Sequence, residues 1–256
     1  ITDKIKKHNF DLNAFSFSLN NVVFNSSKAV IVHSRWCMEQ TAGDNVFVVP
    51  HGINIERFHE GEIRSIRAGL GISQDTLALA CFGEIVFTKR IDVVIKAFSI
   101  FRLFNKEAKL LLVGKCYREM EDKVRQLVDF YGLEGSMTIT GKVDLDIFKK
   151  YMQASDVILN LRYPTMGETS GSLIRAMSYG KPVIISNVNQ FREFPDDSCL
   201  KVDVCDREQD IILNHLLMLG KDPLLRKRIG DKARRYVEDN CSWDKVTEKY
   251  IEVISA

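Results

Sequence analysis

The sequence predicts an α/β protein built on a doubly wound parallel sheet, with helices on both faces. Two observations carry this. First, the strand-like runs at 77–82, 109–113 and 157–161 are consecutive apolar residues and not alternating ones. A strand buried on both faces produces that pattern. Second, each run is followed by a helical segment with its apolar residues on one face, so strands and helices alternate along the chain.

Taken in order, residues 13–26 read as an amphipathic helix, with Phe15, Leu19, Val22, Val23 and Phe24 at helical spacing. A short strand at 29–33 follows. Ser34 is placed to cap a helix over 35–40, and 46–50 is a second short strand. Residues 61–75 are charged and contain glycine, and read as a linker with one helical turn or two. The regular part then begins. Strand 77–82 leads to helix 91–104, whose Ile91, Val94, Ile95, Phe98 and Phe101 share a face. Strand 109–113 leads to helix 118–131, strand 137–140 to helix 145–152, and strand 157–161 to the segment 163–186. An edge strand is expected at 199–202, and helices over 207–219, 223–240 and 242–255 end the chain.

Segment 163–186 organises the rest. Glu168-Thr-Ser-Gly-Ser172 is small and polar and opens a helix with Leu173, Ile174, Ala176 and Met177 on its apolar stripe. Gly180 stops that helix, Pro182 follows, and Val183-Ile-Ile185 is a buried strand. A small-residue turn into a helix leaves backbone N–H groups free at a positive dipole end, which suits phosphate. An ordinary strand–helix–strand unit without a ligand has the same spacing.

Composition excludes several classes. The chain has 256 residues, 45% apolar and 27% charged, as in soluble globular proteins. A net charge of +2 argues against a dedicated nucleic-acid binder. No apolar run approaches the roughly 20 residues of a membrane span, and the N-terminus lacks a signal-peptide pattern. The six cysteines are scattered, with no Cys-x-x-Cys, as expected of reduced thiols in a cytoplasmic protein. The basic helix from Lys221 to Arg235 is interrupted by Asp222 and Asp231; it reads as a solvated face, with peripheral membrane contact at most. Gly135 to Lys142 is a near miss for a phosphate-binding P-loop, with Val143 where Ser or Thr is required. Asp144-Leu-Asp146 spells a metal-binding carboxylate pair but lies at a helix start, where an N-cap is expected.

Ala176-Met177 and Gly180-Lys-Pro-Val-Ile184, with Gly167-Glu-Thr-Ser-Gly-Ser172 before them, resemble the signature of retaining GT-B glycosyltransferases, specifically family 4 (group 1). The resemblance runs from about Ala29 to Ser255. It implies that residues 1–52 are the tail of an N-terminal acceptor domain, that 53–240 form the C-terminal nucleotide-sugar-binding domain, and that 241–256 form a helix packing back toward the N-terminal domain. His51-Gly-Ile-Asn54 resembles the family's hinge and places His51 near the interdomain cleft. The loop after the first main strand, Gly83-Glu84 to Lys89-Arg90, would hold the donor's diphosphate. Lys89 matches the family lysine, Glu84 replaces its arginine, and Arg90 is expected to supply the displaced charge. Gly141 and Val143 would wall the base. Thr169, Ser170, Gly171 and Ser172 would present the helix N-terminus, and Glu168 would orient the donor sugar. Arg175 stands where the family has a second acid. It either turns to the diphosphate, the favoured outcome, or pairs with Glu84 or Glu168.

The implied activity is transfer of a sugar from a nucleoside-diphosphate sugar to a lipid-linked or other hydroxyl acceptor. It would proceed with retention and without metal or cofactor, by electrostatic stabilisation of the leaving diphosphate. With most of the acceptor half missing, the isolated chain is expected to transfer nothing. A noncatalytic nucleotide-sugar-binding module and a GT-B nucleotide-sugar epimerase are the alternatives.

Overall fold

The computed structural model describes residues 18–41 and 43–255. Of the helix expected over 13–26, residues 13–17 lie outside the described residues, and the remainder is α1, Ser18–Ser26. Strands β1 (Val30–Val32) and β2 (Val46–Val48) pair in parallel, Val30 opposite Val46, and flank the five-residue helix α2 (Arg35–Glu39). The Ser34 side chain caps α2 by accepting from Cys37 N at 3.1 Å.

The stretch expected to be a linker is instead a ten-residue helix, α3 (Glu60–Gly69). Its start is fixed by the Glu62 carboxylate, which accepts from His59 N at 2.8 Å. It is rich in charge and buries an arginine on the face that Ile66 and Leu70 turn to the core, which is why the sequence pattern hides it. Arg67 is 4% exposed and donates to the carbonyls of Ala154 and Ser73, both at 2.7 Å, and to Asp156 at 3.1 Å.

The main sheet comprises β3 (Ala78–Phe82), β4 (Lys109–Val113), β5 (Met137–Ile139), β6 (Val157–Asn160), β7 (Val183–Ser186) and β8 (Leu200–Val202). Its order is β5-β4-β3-β6-β7-β8, with every pair parallel, and β8 is the expected edge strand. The crossover helices are α4 (Ile91–Phe104), α5 (Arg118–Tyr131), α6 (Leu145–Ala154) and α7 (Gly171–Ser178). Helices α8 (Glu208–Lys221), α9 (Pro223–Cys241) and α10 (Trp243–Ser255) follow β8. The consecutive apolar residues of β3 divide between two cores. Leu79 and Cys81 pack with Phe98, Phe101, Ile212 and Leu216 on one face. Ala78, Ala80 and Phe82 pack with Met152, Leu173, Met177 and Val237 on the other.

The segment joining the two sheets is pinned where α9 ends: Ile53 N donates to Cys241 O at 2.8 Å. A Cβ on Gly52 would lie 2.6 Å from the Trp243 ring, so only glycine lets the hinge strand pass α10. No helix among the described residues is long and apolar enough to cross a membrane.

Candidate active site

Strand order reverses between β3 and β6, and the crevice beyond their carboxyl ends is where open α/β sheets bind ligands. Two loops border it, one from Gly83 after β3 and one from Leu161 after β6. A backbone bond from Tyr163 N to Thr88 O at 2.7 Å ties them together.

The first loop delivers Lys89. Its side chain folds back so that Nζ donates to the Phe82 carbonyl at the end of β3. Gly83, at φ 88°, makes room for it: a Cβ there would lie 2.6 Å from Nζ. Lys89 is 9% exposed, and burial lowers its pKa to about 8, with the Arg162 charge adding to the shift. A second close approach holds the loop, since a Cβ on Gly114 would lie 2.1 Å from the Gly83 carbonyl oxygen.

The second loop delivers Arg162 and Glu168. Arg162 Nη1 pairs with Glu168 Oε1 at 2.8 Å. Glu168 Oε2 accepts from Thr165 Oγ1 at 2.9 Å and Met166 N at 2.8 Å. Burial pushes the Glu168 carboxyl up, but hydrogen bonds from its own N–H, Met166 N and Thr165, with the Arg162 charge, hold it below the usual carboxylate range. Ser170 caps α7 by accepting from Leu173 N at 3.3 Å, and donates to Asn160 Oδ1 at 3.0 Å. Thr169 and Ser170 line a cavity of about 460 Å³ with His33, His51, Gln190 and Glu193. Gly171, Ser172 and Arg175 line another of about 550 Å³ with His51, Lys149 and Trp243. His51 therefore borders both cavities, on either side of the α7 N-terminus.

Three buried polar atoms around this loop have no hydrogen-bond partner among the described residues: Asn160 Nδ2, Arg162 Nε and Gln190 Oε1.

The remaining expected residues have other partners. Arg90 sits at φ 57° and turns to the buried Glu208, with Nε to Oε2 at 3.0 Å; that hydrogen bond raises its pKa, and the pair ties α4 to α8. Glu84 accepts from Tyr117 Oη at 3.1 Å on the rim. Arg175 reaches neither Glu84 nor Glu168. It adjoins Glu56, which accepts from Lys149 Nζ at 2.6 Å and Tyr179 Oη at 2.8 Å. Gly141, at φ 68°, bridges to Gly114, and Val143 packs against the core under α6. Asp144 caps α6 as expected, Oδ1 accepting from Ile147 N at 2.8 Å.

Residues outside the sequence reading complete the site. Gln190 Nε2 holds Thr165 Oγ1 at 3.0 Å and the Glu168 carbonyl at 2.9 Å. Glu193 accepts from Arg35 N and Trp36 N, at 3.0 and 2.7 Å, so the N-terminal sheet's helix docks on the segment after β7. Cys37 Sγ donates to Gly167 O at 3.2 Å. For Arg162 the sequence held a signal, a cation directly after a buried strand at the reversal of strand order. Gln190 and Glu193 had none, because they are local in no sense.

Comparison with known proteins bears on the family and the fold. An uncharacterised glycosyltransferase of Methanocaldococcus jannaschii is 24% identical over 242 residues, covering 92% of this chain and 60% of that protein. The lipopolysaccharide 1,2-N-acetylglucosaminetransferase of Salmonella typhimurium is 25% identical over 217 residues, covering 81% and 55%. The chain thus spans somewhat over half the length of these curated relatives. Anabaena HepE, solved in complex with UDP, superposes with a TM-score of 0.82 at 17% identity, over 94% of this chain and 68% of that one. Sucrose-phosphate synthase of Thermosynechococcus elongatus gives 0.78 at 22% identity, over 93% and 60%. These two show the fold, that of GT-B glycosyltransferases. The sequence profile of the glycosyl transferases group 1 family matches residues 62–252, from α3 through most of α10, and so takes in every strand of the main sheet. The chain belongs to the glycosyl transferases group 1 family.

Proposed function

We propose that the protein takes part in transferring a sugar from a nucleoside-diphosphate sugar to an acceptor hydroxyl, with retention at the anomeric carbon and without a metal ion. The observation that carries the reading is the buried Lys89 ammonium at the strand-order reversal, beside the loop that bears Glu168 and the capped N-terminus of α7. Burying a lysine without a carboxylate partner is costly, and a diphosphate placed there offsets that cost. Lys89 and the α7 N–H groups at Gly171 and Ser172 stabilise charge as it develops on the leaving diphosphate. Glu168, ionised at neutral pH, orients the sugar through its hydroxyls. Gly83 keeps space for Lys89, while Gly141 and Val143 border the base. HepE, crystallised with UDP and with UDP-glucose, supports a donor of this class.

In this reading residues 1–52 belong to an acceptor-binding unit, 53–240 bind the donor, and 241–256 return to the first unit. The acceptor, lipid-linked or otherwise, is held mainly by that first unit, so this chain alone binds nucleotide and transfers nothing. Six free cysteines support a reducing, cytoplasmic setting.

The experiment is calorimetry of the 256-residue chain with UDP, GDP and ADP, with and without EDTA. The expected result is binding of one nucleotide, unchanged by EDTA. Binding that requires Mg²⁺ or Mn²⁺ refutes the metal-free mechanism. A second reading, a nucleotide-sugar-binding module without catalysis, is favoured by one observation: Arg175 and Glu84 occupy positions of family site residues and are engaged by Glu56 and Tyr117. Turnover of the complete enzyme on a donor panel separates the two.

A further inference from the structure

A diphosphate carries more negative charge than one lysine can balance. Of the cations near the crevice, Arg90 is engaged by Glu208 and Arg175 adjoins Glu56 in the cavity beside α6. Arg162 is different. It leaves the carboxyl end of β6, its backbone N–H is fixed to Ser186 Oγ at 2.9 Å, and its side chain is 18% exposed. It lies near enough to Lys89 for the two charges to repel, and its only carboxylate among the described residues is Glu168. Its Nε is buried and donates to nothing among the described residues.

We infer that Arg162 is the second diphosphate-binding cation of this site and that it is exchanged between Glu168 and the ligand. This rests on the donor class proposed above. Glu168 neutralises Arg162 in the structure, which keeps two neighbouring cations tolerable. When the diphosphate enters, its oxygens take over the guanidinium, whose planar fork suits phosphate bidentately. The Glu168 carboxylate is thereby released toward the sugar hydroxyls. A nucleotide is bound at the cost of breaking the Arg162–Glu168 pair, so the strength of that pair sets how readily the empty site takes a donor.

Calorimetry on the 256-residue chain tests this, using whichever of UDP, GDP and ADP binds the wild type tightest, with the matching nucleoside as control. Arg162→Gln is expected to weaken the diphosphate by about tenfold to a hundredfold and the nucleoside by less than threefold. Arg162→Lys, which keeps a charge but loses the fork, is expected to fall between wild type and Arg162→Gln. Glu168→Gln is expected to tighten the diphosphate a few-fold, because Arg162 is no longer held, and to have no effect once Arg162 is already Gln. That non-additivity is the signature of exchange, and a merely structural arginine would not produce it. Melting temperatures confirm that each variant is folded; if Arg162→Gln does not fold, Arg162→Lys and Glu168→Gln decide. Unchanged diphosphate affinity in Arg162→Gln, or weaker binding in Glu168→Gln, overturns the exchange. If Lys89→Met then still loses the diphosphate, the donor site stands and only the role of Arg162 falls. No binding of any nucleoside diphosphate by the wild type overturns both.

Discussion

Lys89→Met asks whether the buried lysine is retained for a ligand at the expense of stability. Burial lowers its pKa from the ordinary 10.5 to about 8. At about 1.4 kcal/mol per unit this corresponds to roughly 3 kcal/mol of destabilisation at pH 7. Methionine has similar length and removes that cost, but it leaves the Phe82 carbonyl without its Lys89 donor, a loss of about 1–3 kcal/mol. The variant should therefore range from equal to wild type to about 2 kcal/mol more stable at pH 7, a rise in Tm of up to roughly 8 °C. Because the folded-state pKa lies below the unfolded one, the unfolded chain binds more protons between pH 8 and 10.5. Wild-type stability then rises with pH across that window. The advantage of Lys89→Met is full below pH 8 and shrinks toward pH 10.5. Urea denaturation of both proteins at pH 7, 8, 9 and 10 measures it. Diphosphate affinity, read in parallel, should drop by about tenfold to a hundredfold. A variant more than about 1 kcal/mol less stable at pH 7, or a difference flat from pH 7 to 10, would refute the assignment of Lys89 as a strained, ligand-directed cation.

Four other outcomes are expected. Wild-type affinity for the nucleoside diphosphate should fall as pH rises through about 8, approaching tenfold per unit as Lys89 loses its proton, and Lys89→Arg should flatten that profile in calorimetry. Gly83→Ala forces a Cβ against Lys89 Nζ at a positive φ and should weaken the diphosphate about tenfold or more while costing roughly 1 kcal/mol or more in urea melts. Glu208→Gln strands Arg90 and should cost about 3–5 kcal/mol of stability, yet leave diphosphate affinity within threefold in the folded fraction; a selective loss of diphosphate would return Arg90 to the site. Arg175→Glu sets a second carboxylate against Glu56 and should cost up to about 1 kcal/mol, with diphosphate and nucleoside weakened alike; selective loss of the diphosphate would place Arg175 on phosphate.

Whatever burial imposes as periodicity can be read along the chain. Runs such as Leu110-Leu-Leu-Val113 must be covered on both faces, so the parallel sheet and its flanking helices were legible before any coordinates. Local chemistry was legible too: Ser34 and Asp144 each cap the helix they precede, because a cap needs only the next three residues. Helix α3 escaped notice because its buried residue is Arg67, which is held in part by Ala154 O and Asp156, far along the chain. The roles of the cations escaped for the same reason. Arg90 stands beside Lys89 in sequence, but a left-handed backbone turn and Glu208, 118 residues away, send it to the other face of α4. Arg162 and Glu168 meet within one loop, but they come beside Lys89 only because β6 ends next to β3 in the folded sheet. Arg90 is drawn from the crevice by an acceptor distant in sequence, while Arg162 stays with a carboxylate of its own loop, and that difference exists only once the strands are packed in order.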